Sequence, residues 1–503
     1  MRRFNKTLAV VLAAVSMCSF GACNQSEDND IGTPPDYSAS QLQMDFYGYH
    51  SISNGKYTID GIVYDEGQDF RTVDRFKEYL DCGMNMVFLQ GPNGAFEGGD
   101  WETSSVKLYM DMFLEAGTNR VIFQDVRLSD LSQLENSLVG DDQTLIAAGK
   151  QFATQEDLEN YVASCLDDYA DHEAFYGVIL RDEPRWRMFE ASAAVYNAIK
   201  KYDESIFVKQ NLLPLSSGVH AHYAENYNTQ TVQESYESYL RTWQQMTNAD
   251  YLMFDDYPIR DNGIGSEHIM GLKIVADICK EKDLSLYVVA QAMEMMNDGR
   301  PAMRACTKAD MYWQLNMLQG FGVKRIAYFT YWRRRTSNTA GEFFVDGTSF
   351  ITSAGEKTDL YYYMTDIHKE IQNFAPTLLS FDYNACAYYM KAPMAFPVGY
   401  MGNIKNEAMS CIKNVSVEQS DLLLVTEMID KDKGNYMYML QNIMDPSKGL
   451  LGDTVVHTEV EFDSKYNYVA VYYKGEVTYH KLNNHKYATE LSAGYAEFVI
   501  PYV

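Results

Sequence analysis

The chain has 503 residues, with 42 Lys+Arg against 69 Asp+Glu for a net charge of -27, and it is 46% hydrophobic. So acidic a protein excludes nucleic acid and anionic membrane surfaces as main ligands, because both need basic patches. The apolar fraction excludes a mainly disordered chain, and the length calls for one large domain plus a smaller one. The 39 Tyr and 24 Phe offer flat faces that suit sugars, although most such rings serve as core.

The first residues read as a targeting segment. Arg2, Arg3 and Lys6 precede the apolar run Leu8–Met17, which is too short to cross a bilayer, so 1–22 is an expected signal peptide. Phe20-Gly21-Ala22-Cys23 resembles a lipobox with Phe where Leu is usual, which implies lipidation of Cys23; an ordinary cleaved signal is the alternative. The acidic run Asn24–Asp30 and Gly32-Thr33-Pro34-Pro35 make 23–41 an expected flexible tether. Acidic residues there resemble the export signal of surface lipoproteins. The implied location is the outer membrane, surface-exposed, with the lipid anchor as the membrane contact. There is no C-x-x-C pair and no zinc-type Cys/His spacing, so metal is not expected and small buried thiols are.

From residue 42, short apolar runs alternate with helix-period stretches. Expected strands are Met44–His50, Asn85–Gln90, Arg120–Asp125, Tyr176–Glu183, Ile206–Asn211, Tyr251–Tyr257, Leu286–Gln291 and Arg325–Trp332, each followed by a helical pattern. Strict alternation over 42–375 predicts a (β/α)8 TIM barrel, and an open doubly wound sheet is the alternative. No G-x-G-x-x-G follows the first strand and no P-loop is present. After Pro376 short Val-, Tyr- and Thr-rich segments separated by turn residues predict an all-β sandwich over 376–503.

Functional side chains of a barrel come from the C-terminal strand ends. Those ends carry Tyr49 and His50, Gln90, Gln124 and Asp125, Arg181, Asp182 and Glu183, Asn211, Asp255, Asp256 and Tyr257, Gln291, and Tyr331 and Trp332. Eight polar or aromatic ends on apolar strand bodies suit a hydroxyl-rich ligand. In Gly177-Val-Ile-Leu-Arg-Asp-Glu-Pro184 strand parity puts Arg181 and Glu183 on one face and Val178 and Leu180 on the helix side, so Glu183 is expected to face the axis. Partly desolvated there, it would keep a proton and act as a general acid. The plainer reading is that Asp182 and Glu183 cap the next helix or pair with Arg181 and Arg185.

The D-E-P end resembles the N-E-P of clan A glycoside hydrolases, in which that Glu is the acid/base. Phe254-Asp255-Asp256-Tyr257-Pro258, Tyr328-Phe-Thr-Tyr-Trp332, Asn211-Leu-Leu-Pro214 and Val289-Ala-Gln291 are similar to the same barrels. Together they resemble glycoside hydrolases among the surface lipoproteins of glycan-degrading bacteria. The resemblance implies a glycosidase with a carbohydrate substrate and no organic cofactor, working beside other glycan-uptake proteins. One departure matters: retaining enzymes of that clan need a Glu at the end of strand 7, about 5–5.5 Å from the acid/base. Gln291 stands there and cannot serve as the nucleophile. Asp255, or less favourably Asp256, would be the second carboxylate of an inverting enzyme at about 6.5–9.5 Å; Glu294 can reach in from the loop; or hydrolysis is lost and the barrel is a glycan-binding lipoprotein. Tyr49, Asn211, Tyr257, Gln291 and Trp332 would position the sugar, with His50, Gln90, Arg181, Asp182, Asp256 and Tyr331 around them. Trp332 is either a stacking platform or core. Arg333-Arg334-Arg335 reads as a solvated loop or an anion clamp.

Overall fold

The computed structural model describes residues 31–53, 56–59, 62–65, 68–90, 100–140, 150–216, 218, 220–224, 231–297, 300–333, 349–390, 405–418, 422–447 and 455–503. The expected signal peptide and Cys23 lie outside these residues, as do Arg334 and Arg335.

The architecture is mixed α/β, with parallel sheets in the first part and an antiparallel region after it. Strands β1 (Asp45–Gly48), β2 (Val87–Gln90), β3 (Val121–Gln124), β4 (Phe175–Ile179), β5 (Phe207–Lys209), β6 (Tyr251–Asp256), β7 (Ser285–Gln291) and β8 (Val323–Phe329) alternate with long helices. Those helices are α1 (Val73–Asp81), α2 (Ser105–Ala116), α3 (Gln155–Leu166), α4 (Phe189–Tyr202), α5 (Val232–Thr247), α6 (His268–Lys282), α7 (Lys308–Gly320) and α8 (Asp359–Leu378). Local chemistry sets several helix starts. Thr154 with Asp157, Thr231 with Glu234 and Thr307 with Asp310 are capping boxes that satisfy otherwise orphan amides.

Two four-stranded parallel sheets result, in the orders β1-β8-β7-β6 and β2-β3-β4-β5. Hydrogen bonds join them at both ends. Met86 N donates to Phe46 O at 3.2 Å, and Leu212 N donates to Met253 O at 2.8 Å. The space between is filled, not hollow. At its lower end Arg325 lies 4.2 Å from the Phe207 ring centroid and 4.6 Å from that of Tyr287, and donates to Asp45, which also accepts from Arg120. Higher up, Tyr47 Oη sits 3.7 Å from Met253 Sδ.

Four strands end two or more residues sooner than the apolar runs imply: β1 at Gly48, β4 at Ile179, β5 at Lys209 and β8 at Phe329. Beyond them the chain bends, so the two-residue alternation of faces no longer holds. Glu183 has φ 48° and His50 φ 52°, both in the left-handed region.

The antiparallel region has a six-stranded and a three-stranded sheet. The first has the order β9-β11-β12-β17-β14-β15, from β9 (Asp382–Met390), β11 (Leu422–Asp430), β12 (Asn435–Asn442), β14 (Tyr468–Tyr473), β15 (Glu476–Lys481) and β17 (Ala496–Tyr502). The second is β10-β13-β16, from β10 (Ile412–Val417), β13 (Val455–Phe462) and β16 (Lys486–Ser492). Their facing side chains, including Val425, Leu440, Val460 and Leu491, form a core of their own. The region packs on α7, where Gln441 Nε2 donates to Trp313 O at 2.7 Å and Trp313 Nε1 to Ile443 O at 3.2 Å. That contact explains why α7 is buried on nearly every side.

Residues 31–41, expected as part of a free tether, are partly docked. Tyr37 is buried with its hydroxyl 2.9 Å from Asp430 Oδ2, and Tyr502 Oη donates to Ile31 O at 2.7 Å. An aromatic plug with a buried acceptor outweighs the Pro/Gly composition that signals flexibility. The six described cysteines are free and buried.

Gly177 leaves no room for a side chain between β4 and β5: a Cβ there would lie 2.1 Å from Phe207 O. Gly177→Ala is expected to cost about 3 kcal/mol by forcing β4 and β5 apart. Urea denaturation checks this, and an unchanged midpoint would contradict the packing described.

Candidate active site

The site is built on the carboxyl ends of β1, β4, β5, β6 and β8. Its floor is aromatic. The Tyr49 ring lies 4.8 Å from Phe88 and 5.8 Å from Phe329, and Phe329 stacks on Tyr257 at 5.6 Å. The His50 ring is 5.8 Å from Phe329. Phe329 and Tyr257 are half-buried, so one side of this wall meets solvent.

Over that floor stand three carboxyls. Asp255, only 5% exposed, accepts from Asn211 Nδ2 at 3.0 Å and is hydrogen-bonded to the Tyr257 hydroxyl and to the Glu183 carboxyl. Glu183 remains open to solvent at the mouth, but the walls around it still exclude enough water to disfavour its charge. Burial first, and the Asp182 charge second, raise its pKa above the ordinary range. Asp255 is raised further, by burial and then by the charges of Glu183 and Asp182. Two such acids in contact hold one proton between them, because both cannot ionise at that distance. Asn211 Oδ1 has no partner among the described residues, which leaves an acceptor beside the pair.

Asp182 departs from the parity expectation. Strand alternation continued from Leu180 would turn it to the helix side, but it joins the cluster, as its place among the expected sugar-contacting residues requires, and accepts from Tyr49 Oη at 3.3 Å and from Lys209 Nζ at 3.3 Å. The physical reason is the early end of β4 and the left-handed turn at Glu183, which aim consecutive side chains into one cluster. The Glu183 amide is tied to Asn211 O at 2.9 Å, which fixes this turn. Arg181 is exposed, its carbonyl accepts from Gln210 Nε2, and its charge acts on Glu183.

Several expected site residues lie elsewhere. Gln291 is fully buried: its amide accepts from Ile259 N at 2.8 Å and donates to Ile259 O at 2.9 Å. It clamps the loop after β6 and has no free face for a sugar. Asp256 points the other way from Asp255 and pairs with His268 Nδ1 at 2.7 Å on α6, as strand alternation requires. Tyr331 and Trp332 follow the end of β8 and turn into packing. Tyr331 meets Tyr79 at 4.7 Å, and Trp332, 2% exposed, lies against Phe70 at 4.9 Å. Trp332 is therefore core in this structure, and the open aromatic face belongs to Phe329 and Tyr257. Glu294 is half-buried, and among the described residues no hydrogen bond joins its side chain to the carboxyl pair. Arg333, expected in a solvated loop, is buried with Nη1 donating to Glu294 O at 2.8 Å. Gln90 ends β2, and its side chain lies outside the described atoms.

Sequence reading missed Lys209 and Phe329. Lys209 had a signal: a lysine directly after the apolar run Ile206–Val208, within the expected strand and at the same strand parity as Asn211. Phe329 had none, since it reads as strand body.

Two outcomes follow from this geometry. Because their pKa values are raised on folding, Glu183 and Asp255 bind protons more tightly in the folded state, so their contribution to stability falls as pH rises. Asp255→Asn is expected to stabilise the protein, with a gain that grows from pH 5 to pH 8; melting curves across that range check the sign. Gln291→Glu would bury a charge and remove the amide donors to Ile259 and Met293. It is expected to cost about 3 kcal/mol and to create no new hydrolytic activity, checked by denaturation and glycan-release assays.

No protein-family model and no curated protein sequence matches the chain. Among solved structures it is similar to an Anoxybacillus alpha-amylase, with TM-score 0.49, 11% identity, and 91% of this chain and 97% of that one covered. It is also similar to a family 5 glycoside hydrolase from Bacteroides vulgatus, with TM-score 0.47, 13% identity, and 89% and 94% covered. An endo-beta-1,4-mannanase from Thermotoga petrophila gives TM-score 0.40, 10% identity, and 91% and 99% covered. At these scores the likenesses carry no weight for the chemistry, which rests on the side chains above.

Proposed function

We propose that this protein is a glycoside hydrolase built as a (β/α)8 barrel followed by a β-sandwich, held at the bacterial outer-membrane surface by lipid on Cys23. The observation that carries the reading is the meeting of the Glu183 and Asp255 carboxyls at the open carboxyl ends of parallel strands, beside an aromatic wall. A carboxyl at an open mouth, with its pKa raised by burial, is suited to protonating a glycosidic oxygen. The rings of Tyr257 and Phe329 offer the apolar face of a sugar a surface to lie on. Barrel closure is supported by the bonds from Met86 to Phe46 and from Leu212 to Met253, which link the two sheets edge to edge.

In this reading the shared proton, held in the resting pair by Asp255 whose pKa is raised further, passes to Glu183 as Glu183 turns to the glycosidic oxygen and donates it there. Glu183 is the member that moves: it sits at the mouth, while Asp255 is held by Asn211 and Tyr257. Once parted from Glu183, Asp255 is the carboxylate that takes a proton from water as the water attacks the anomeric carbon, an inverting displacement. The carbohydrate is the partner this chemistry needs, and other glycan-uptake proteins at the surface are natural neighbours. A second reading is favoured by one observation. The two carboxyls touch, closer than either hydrolytic spacing, and Gln291 occupies the place of a strand-7 nucleophile. That arrangement also fits a barrel that binds glycan without cleaving it.

Reducing-sugar release from a panel of plant, host and microbial glycans separates the two. Glu183→Gln and Asp255→Asn are each expected to lower release from the responsive glycan by about 10³-fold while binding persists. Undiminished release by Glu183→Gln would put the acid elsewhere. No release by the unmodified protein, with binding to one glycan, would leave the binding reading.

A further inference from the structure

Lys209 is a buried cation that the proposed hydrolysis does not use directly. It is 1% exposed, its Nζ lies 3.3 Å from Asp182 Oδ1 and touches the Tyr49 hydroxyl, and it sits 4.3 Å from the centroid of the Tyr49 ring. Burial disfavours its charge and holds its pKa below the ordinary lysine range, with the carboxyls of Asp182, Asp255 and Glu183 opposing that shift in part. An ammonium enclosed by Tyr49 and Phe88 persists only when a carboxylate neutralises it, and Asp182 is the acid it meets within salt-bridge distance.

The groups facing this ion pair come from three directions. Tyr49 reaches it from the end of β1. Asp182 and Glu183 reach it from the turn after β4, with the Arg181 charge acting on Glu183. Asp255 and the Tyr257 hydroxyl bonded to it come from the end of β6. Within this set Asp182 favours the protonated form of Glu183, and Lys209 and Arg181 oppose it. A general acid must hold its proton until substrate arrives and then release it, so the Asp182 charge has to be felt but limited.

We propose that Lys209 is a positioning residue for the acid: it pins Asp182 against Tyr49 and tempers its charge, so that Glu183 keeps a transferable proton. The inference rests on reading Glu183 as the acid, and it assigns the adjacent Asp–Lys pair the work of setting its proton affinity. Asp182, placed among the sugar-contacting residues by sequence, then acts through charge.

The test follows Glu183 itself, without substrate, by carbon-13 NMR of protein labelled at the glutamate carboxyl carbon, with Glu183→Gln assigning the resonance. Lys209→Met removes the ammonium and leaves the Asp182 charge unshielded, so the Glu183 midpoint is expected to rise by about one pH unit. Lys209→Met/Asp182→Asn removes both charges and is expected to return the midpoint to near that of the unmodified protein. Asp182→Asn alone is expected to lower it. An unchanged midpoint in folded Lys209→Met, or a double variant that titrates like Lys209→Met, would overturn the proposal. If Lys209→Met does not fold, Asp182→Asn decides, since its side chain is half exposed: a lowered midpoint supports the proposal and an unmoved one overturns it. Because no turnover is needed, shifted titrations in a protein that cleaves nothing would sink the hydrolase reading and leave the role of Lys209 standing.

Discussion

The site turns on one expensive placement: the Asp255 carboxyl, nearly without water, at the end of β6. A lone buried carboxylate is strongly unfavourable, so everything around it supplies either a hydrogen bond or a proton. Asn211 and Tyr257 supply hydrogen bonds, and Glu183 shares the proton. Lys209 lowers the net negative charge of the cluster while being enclosed in turn by Tyr49 and Phe88. Remove the desolvation and the two acids would ionise separately, leaving no shared proton to donate.

The same constraint accounts for the strand ends. Hydrogen-bonded strands project alternate residues to opposite faces, so they cannot bring Asp182 and Glu183 to one cluster. The chain breaks the ladder at Ile179 and uses a left-handed residue at Glu183, tied by its amide to Asn211 O. On the opposite side, β8 stops at Phe329, which keeps that ring on the solvent-facing wall, while Tyr331 and Trp332 drop into packing against α1 and Phe70. Gln291 belongs to the scaffold: its amide reads both backbone groups of Ile259 and so fixes the loop that begins beyond Tyr257.

Charge is ordered along the axis as well. At the lower end Arg325 and Arg120 share Asp45 above a ring of aromatic side chains, a cationic plug that needs no solvent. At the upper end the balance is negative and partly open. A neutral aromatic and sulfur-containing layer of Tyr47 and Met253 separates them. The protein therefore presents acid to its ligand and keeps the Arg325 guanidinium away from it.

Much of this was legible in the residues alone. Alternating apolar runs and helical stretches determined the order of eight strand–helix units, because periodicity of two and of 3.6 is a local property. Polar ends on apolar strands marked Glu183, Asp255, Asn211, Tyr49 and Tyr257, which the structure brings together. What tertiary structure alone decided was direction. Gln291 and Asp256 are as polar as their neighbours, yet each finds its partner, Ile259 or His268, in an element distant in sequence. Lys209 was hidden because a lysine at the end of an apolar strand has meaning only once Asp182, 27 residues earlier and across a helix, is seen to neutralise it. Parity predicts faces only while a ladder persists, and here the ladder ends where the chemistry begins. Sequence determines which groups are available at the strand ends; the turn after each strand, fixed by contacts from other strands, decides which of them meet.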